Sequence, residues 1–244
     1  MSLKPASVEA IAALSSVGRT HFLTAMTMNA QDFEHINISF SISGEDLVLR
    51  KQFKEKLLRG EPGFYADFGS ADPRIGSNTY LYYACGWNGI CVDANPDIAP
   101  AYKVYRPRDT FINAAIAPND APAFFAKGIG NVGSSRIVTT AQAPSDAFEQ
   151  PAPVSNTISL RDVFDRHLPS GQKIDFMSMD LEGGEPWALR SNDWGKYRPE
   201  VIVLETQGVD SANPLAFDTV KFIADKGYAC IGVLLPNVIM RRVN

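Results

Sequence analysis

Short, dense apolar runs that end in an acid and a small-residue loop recur along this chain, separated by stretches whose apolar positions fall at helical spacing. The run 64–68 ends in Asp67-Phe68-Gly69-Ser70. Ser77-Asn78-Thr79 then offers capping side chains to a helix expected over about 78–84. A second run, 90–93, closes on Asp93 before Ala94-Asn95-Pro96, and a third spans 110–116. Ser159 is placed to cap a helix over 160–167, with His167 in its last turn. A fourth run, 173–179, meets Asp180-Leu181-Glu182-Gly183-Gly184 and a helix through Trp187-Ala188-Leu189. A fifth, 199–205, ends in Glu205-Thr206-Gln207; a helix over 214–226 and two strands joined by a turn at Pro236-Asn237 complete the order. Alternating strands and helices predict an α/β fold with a mostly parallel sheet and helices on both faces. Ligands then bind at the carboxyl ends of the strands, where Asp67, Asp93, Asp180 and Glu205 all fall.

Outside that alternation the pattern is weaker. Apolar spacing over 8–28 predicts one or two helices forming a lid or edge. A helix over 45–58 would turn Leu47, Phe53 and Leu57 to a core, with Glu45 and Asp46 complementing its dipole. Residues 1–60 are therefore expected as an N-terminal helical segment and 61–244 as the main domain. Residues 118–153, rich in Ala, Pro, Gly and Ser, read as a flexible substrate-side flap.

Composition narrows the partners. A content of 45% hydrophobic and 20% charged residues is globular. The net charge of −4 comes without a basic stripe, which argues against nucleic acid. No apolar run is long enough to span a membrane, and the first residues lack a leader pattern. Cys85, Cys91 and Cys230 have no metal-ligand spacing and read as reduced thiols of a cytosolic, cytoplasmic protein. The expected partner is a small molecule; the oligomeric state is not encoded in any pattern.

The candidate chemistry lies at the strand ends. Gly69 permits a sharp turn and close approach to a ligand. Asp93, one strand on, is placed to accept hydrogen bonds from ribose hydroxyls. Asp180 and Glu182 alternate on extended chain, so both can face a cleft, as a general base or as oxygen ligands for Mg²⁺ or Ca²⁺. His21 and His35 are weaker candidates for a base. Asp93 would serve NAD equally, but the three-glycine loop of dinucleotide sites is missing after Phe68.

Several motifs in order, over 39–244, resemble the FkbM family of S-adenosylmethionine-dependent methyltransferases. They are Gly44-Glu45-Asp46, Gly63-Phe64-Tyr65-Ala66-Asp67-Phe68-Gly69, Ser77-Asn78-Thr79-Tyr80, Gly86-Trp87-Asn88-Gly89-Ile90, Asp93-Ala94-Asn95-Pro96, Arg106-Pro107-Arg108-Asp109, Ile174-Asp175-Phe176 through Asp180-Leu181-Glu182-Gly183, and Ser191-Asn192-Asp193-Trp194 with Arg198-Pro199. The resemblance implies a Rossmann-like class I methyltransferase fold with a seven-stranded sheet. It implies that Asp67, Gly69 and Ser70 line the methionine end of the cofactor, that Asp93, with Asn95 beside it, holds the ribose, and that Asn113 and Ala114 lie near the adenine. Asn78 and Thr79 would close the pocket, Asp180 would face both cofactor and acceptor, and Glu45 and Asp46 would be equally placed for the site or for capping. The implied reaction is methyl transfer to a hydroxyl of a sugar or another small molecule, with Asp180 and Glu182 as catalytic residues. The alternatives are an NAD-type oxidoreductase and a methyltransferase-like binding module without turnover.

Overall fold

A computed structural model describes residues 37–118, 122–129, 135–141 and 145–243. By its contacts the chain divides into Met1–Ile38 and Ser39–Asn244, and the second unit carries the sheet. The helices expected over 8–28, with His21 and His35, lie outside the described residues. Helix 45–58, grouped from sequence with the N-terminal segment, belongs to the second unit.

In chain order the elements are α1 (Glu45–Gln52), α2 (Lys54–Leu58), β1 (Phe64–Phe68), α3 (Tyr80–Ala84), β2 (Asn88–Asp93), α4 (Ala99–Tyr105) and β3 (Thr110–Asn113). Five short strands come next: β4 (Ala115–Ile116), β5 (Phe124–Ala126), β6 (Arg136–Val138), β7 (Ala152–Pro153) and β8 (Thr157–Ile158). The rest are α5 (Leu160–His167), β9 (Phe176–Met179), α6 (Glu185–Arg190), β10 (Val201–Glu205), α7 (Asp218–Asp225), β11 (Tyr228–Leu234) and β12 (Asn237–Arg242). The main sheet has seven strands in the order β3-β2-β1-β9-β10-β12-β11. Only β12 runs against the others, pairing antiparallel with β10 and with β11. This is the class I methyltransferase arrangement expected from the sequence.

Strand parity sorts the core into two layers. Phe64, Ala66 and Phe68 of β1, with Met177 and Met179 of β9, pack on Val163 and Phe164 of α5, Leu189 of α6 and Ile223 of α7. Tyr65 of β1 and Phe176 of β9 point the other way, onto Leu49, Phe53, Tyr82, Trp87 and Tyr102. Asp67 shares the parity of Tyr65, so it too enters the α3/α4 layer. Gly89 is required by this packing, since a Cβ there would lie 2.2 Å from the Tyr65 carbonyl oxygen and ring.

Three local expectations need correction. The 45–58 helix breaks at Phe53, which reaches the core as expected, and Leu49 rather than Leu47 is its fully buried apolar residue. Glu45 and Asp46 are buried rather than displayed at a helix tip. Asp46 accepts hydrogen bonds from Ser39 Oγ and the Phe40 amide, both at 2.7 Å, and Glu45 accepts from the Ser43 amide and from Asn237 Nδ2 at the start of β12. The 110–116 strand is two strands: after Asn113 the chain leaves the main sheet, and Ala115 and Ile116 pair with Thr157 and Ile158. Beyond these three, the described part of the 118–153 segment contains antiparallel strands, β6-β5-β7.

Candidate active site

Gly69 ends β1 with φ +76°, and its amide and that of Ser70 both donate to the Val92 carbonyl. A Cβ on Gly69 would sit 1.7 Å from the Asp180 carbonyl oxygen. The glycine therefore lets the ends of β1 and β9 meet, a demand made by the protein itself before any ligand arrives. A cleft of about 240 Å³ opens beside this junction. Its apolar lining comes from Val92, Ala94 and Ala114 to Ala117, at and after the ends of β2 and β3, and from Phe125 and Ile137 of the small sheet, and its acids are Asp93 at the end of β2 and Asp180 and Glu182 after β9.

The structure separates the sequence-predicted residues into two groups. Gly69, Asp93, Ala114, Asp180 and Glu182 line the cleft. Asp67, Ser70 and Thr79 are buried behind it. Thr79 Oγ1 donates to Asp67 Oδ2 at 2.6 Å and accepts from Arg106, while half-buried Asn78 donates to Ser178 Oγ on β9. Burial pushes Asp67 up to about 6, against the Arg106 charge and the Thr79 hydrogen bond. Asn95 and Asn113 serve Asp93: Asn95 caps the turn Pro96–Ile98, and Asn113 Nδ2 donates to the Asp93 carbonyl. The Asp93 carboxylate itself accepts from the amides of Ala71 and Asn95, both at 2.8 Å, so it ties together the loops after β1 and β2. Burial raises its pKa and those two amides oppose the rise.

At the acidic end, carboxylate oxygens of Asp180, Glu182 and Glu205 lie within 4.8 Å of one another. The surrounding walls, then Glu205, Glu182 and Glu185, push Asp180 well above the usual carboxylate range. Glu182 is raised by burial and Glu205, opposed by Gln207 and Arg136. Gln207 Nε2 donates to Glu182 at 2.7 Å, and Arg136 of β6 approaches the same oxygen at 3.5 Å. Thus the small sheet reaches across the cleft to the acidic cluster.

Glu185 is the functional residue that sequence reasoning missed. Its carboxylate accepts from the Leu181 amide at 2.6 Å and the Gly183 amide at 3.0 Å, gripping the chain on either side of Glu182. Glu182 has φ +50°, a left-handed conformation that costs a non-glycine residue about 1–3 kcal/mol and persists only when its neighbours hold it. The available signal was Glu185 at a helix start, next to Pro186 and after two glycines.

Residues 67–230 match the model of the methyltransferase FkbM domain, which covers more than half of the chain. The chain belongs to the FkbM methyltransferase family. As an FkbM methyltransferase it uses S-adenosylmethionine. No curated protein matches it. Similar solved structures include the Bacillus cereus O-methyltransferase in complex with S-adenosylhomocysteine, at 12% identity over 92% of this chain and 88% of that one, with a TM-score of 0.42. Another is the Burkholderia thailandensis 1,6-didemethyltoxoflavin-N1-methyltransferase with bound 1,6-didemethyltoxoflavin and S-adenosylhomocysteine, at 13% identity over 100% of this chain and 94% of that one, with a TM-score of 0.40.

The residues of this FkbM methyltransferase fit the cofactor. Ser70 Oγ, following Gly69, is buried without a hydrogen-bond partner among the described residues. An apolar slot suits a purine ring, Asp93 retains lone pairs beyond its two amide bonds, and carboxylates stand where a sulfonium charge is welcome. A divalent cation fits less well, because Gln207 and Arg136 already direct donors at Glu182.

Proposed function

We propose that this FkbM methyltransferase methylates a hydroxyl oxygen of a sugar or another small polyhydroxylated molecule, with Asp180 as general base and Glu182 and Glu205 tuning it. The observation that carries this reading is the polarity gradient of one cleft, apolar at the β2/β3 end and acidic at the β9/β10 end. Asp93 and Asn95 would hold the ribose, Ala114 and its neighbours the adenine, with Asn113 bracing Asp93. Gly69, Ser70 and Asp67, with Asn78 and Thr79 behind them, would form the methionine end.

S-adenosylmethionine supplies an electrophilic methyl group carried on a sulfonium. The protein's part is alignment and proton removal. A hydroxyl is a weak nucleophile while protonated, so a carboxylate that accepts its proton as the oxygen attacks lowers the barrier. The raised pKa of Asp180 makes it a stronger base than an ordinary aspartate once ionised. Arg136 and Gln207, donating to Glu182, keep that neighbour from competing for the proton.

The test is detection of S-adenosylhomocysteine formed with a panel of hydroxylated and amine acceptors. Turnover with hydroxyl acceptors, undiminished in strong chelator, is the expected result. Turnover only with amines overturns oxygen transfer, loss in chelator restored by Mg²⁺ reinstates a metal role, and cofactor binding without turnover on any acceptor favours a binding module.

A further inference from the structure

Arg106 is among the largest fully buried side chains of the protein, and the proposed catalytic steps make no use of it. It caps the carboxyl end of α4, where its amide donates to the Tyr102 carbonyl. Its guanidinium reaches in two directions. Toward the sheet, Nε donates to Asp109 at 2.6 Å and one terminal nitrogen to the Tyr65 hydroxyl at 2.9 Å, which in turn donates to Asp109. Toward the loop that follows β1, the other terminal nitrogen donates to Thr79 Oγ1 at 2.9 Å, the Pro73 carbonyl at 3.3 Å and Ser77 Oγ at 3.4 Å. The 73–79 segment is thus pinned at three points to one buried cation.

Thr79 passes this organisation on to Asp67. Its hydroxyl accepts from Arg106, lies 3.1 Å from Ser77 Oγ and donates its one proton to Asp67 Oδ2. An ionised carboxylate can only accept, so this bond runs from Thr79 to Asp67. Among the described residues Thr79 alone hydrogen-bonds the Asp67 carboxylate, and only on Oδ2. A buried carboxylate with one oxygen uncommitted among the described residues, three positions before a buried Ser70 hydroxyl that has no partner among them, suits an ammonium group.

We propose that Arg106 is a positioning residue for the cofactor: through Thr79 it aims the ionised Asp67 carboxylate at the amino-acid ammonium of S-adenosylmethionine. This rests on the placement of the cofactor's methionine end at Gly69, Ser70 and Asp67. Asp67 is enclosed by Arg106 and Asp109 from the loop after α4, Asp93 and Cys91 on β2, and Tyr102 on α4. Burial lifts Asp67 to about 6 and the Arg106 charge and Thr79 bond draw it down. Cofactor affinity therefore falls as pH drops through that region, and weakening either support moves the fall to higher pH.

The experiment is calorimetric binding of S-adenosylhomocysteine across pH 5 to 8 to wild type, Thr79→Val and Arg106→Lys, with thermal melts of each. Thr79→Val keeps the side-chain shape and is the variant to rely on if Arg106→Lys fails to fold. The expected result is an acid limb near pH 6 in wild type that shifts upward by roughly one unit in Thr79→Val, the scale on which a hydrogen bond to the charged form moves a carboxylate. At pH 6 this reads as several-fold weaker binding that recovers toward pH 8. An affinity loss equal at every pH, or an unmoved limb, shows Arg106 and Thr79 to be structural only and overturns the inference. Wild type that binds no S-adenosylhomocysteine at any pH overturns the cofactor reading itself.

Discussion

Replacing Gly69 by alanine distinguishes a glycine kept for the fold from one kept for a ligand. Two costs are readable at this position. Alanine at φ +76° incurs the left-handed penalty of about 1–2 kcal/mol. Its Cβ would also lie 1.7 Å from the Asp180 carbonyl oxygen, a backbone atom at the end of a central strand that no rotamer change removes. Separating β1 from β9 there is overpacking, typically about 1–3 kcal/mol. The sum centres on about 3.5 kcal/mol, which for a domain of this size lowers Tm by about 7–14 °C. Urea and thermal denaturation of wild type and Gly69→Ala, without cofactor, are the assay. A variant as stable as wild type to within about 0.5 kcal/mol, but defective in cofactor binding, would refute this reasoning and return Gly69 to a ligand role.

Glu185→Gln replaces a charged acceptor of two amides by a neutral one, so stability is expected to fall by about 1.5–3 kcal/mol and kcat to fall more than KM changes; an unaltered kcat removes Glu185 from positioning the 180–183 loop. The raised pKa of Asp180 means that the folded protein keeps a proton which the unfolded chain, titrating near about 3.9, has lost. Stability is then drained as pH rises toward the folded pKa. Asp180→Asn should melt higher than wild type by a margin that widens from pH 5 to pH 8 while its kcat drops, and a margin constant with pH contradicts the assignment. Asp93→Ala is expected to weaken cofactor affinity by about 1.5–3 kcal/mol, seen by calorimetry, with some loss of stability because the Ala71 and Asn95 amides lose their acceptor.

Much of the sheet was legible because each core strand is an apolar run stopped by a polar residue at its carboxyl end. Asp67, Asp93, Asp180 and Glu205 punctuate those runs, and parallel strands buried on both faces leave few polar positions elsewhere. What the chain could not reveal was the side to which each acid turns. Both faces of β1 are apolar, so parity pairs Asp67 with Tyr65 without saying that this layer holds Arg106. Thr110 to Ile116 is uniformly strand-like, and its break after Asn113 depends on Thr157 and Ile158, a pairing across a long insertion. The strands of that insertion are two or three residues long, too short for a period to register. Glu45 and Asp46 look like ordinary helix-start acids until Ser39, Phe40, Ser43 and Asn237 fold onto them, the last from 192 residues away.

Because β12 follows β11 in sequence yet lies between it and β10, the sheet has an assembly order. Until residues 237–242 have been synthesised, β10 presents an open edge and β11 has no partner in the sheet. A nascent chain halted before that point would carry two unpaired apolar edges, a template for association with other chains. Sheet completion thus waits for residues 237–242, and it coincides with the arrival of Asn237 at Glu45, so the opening helix of the unit gains a part-buried hydrogen bond in the same step.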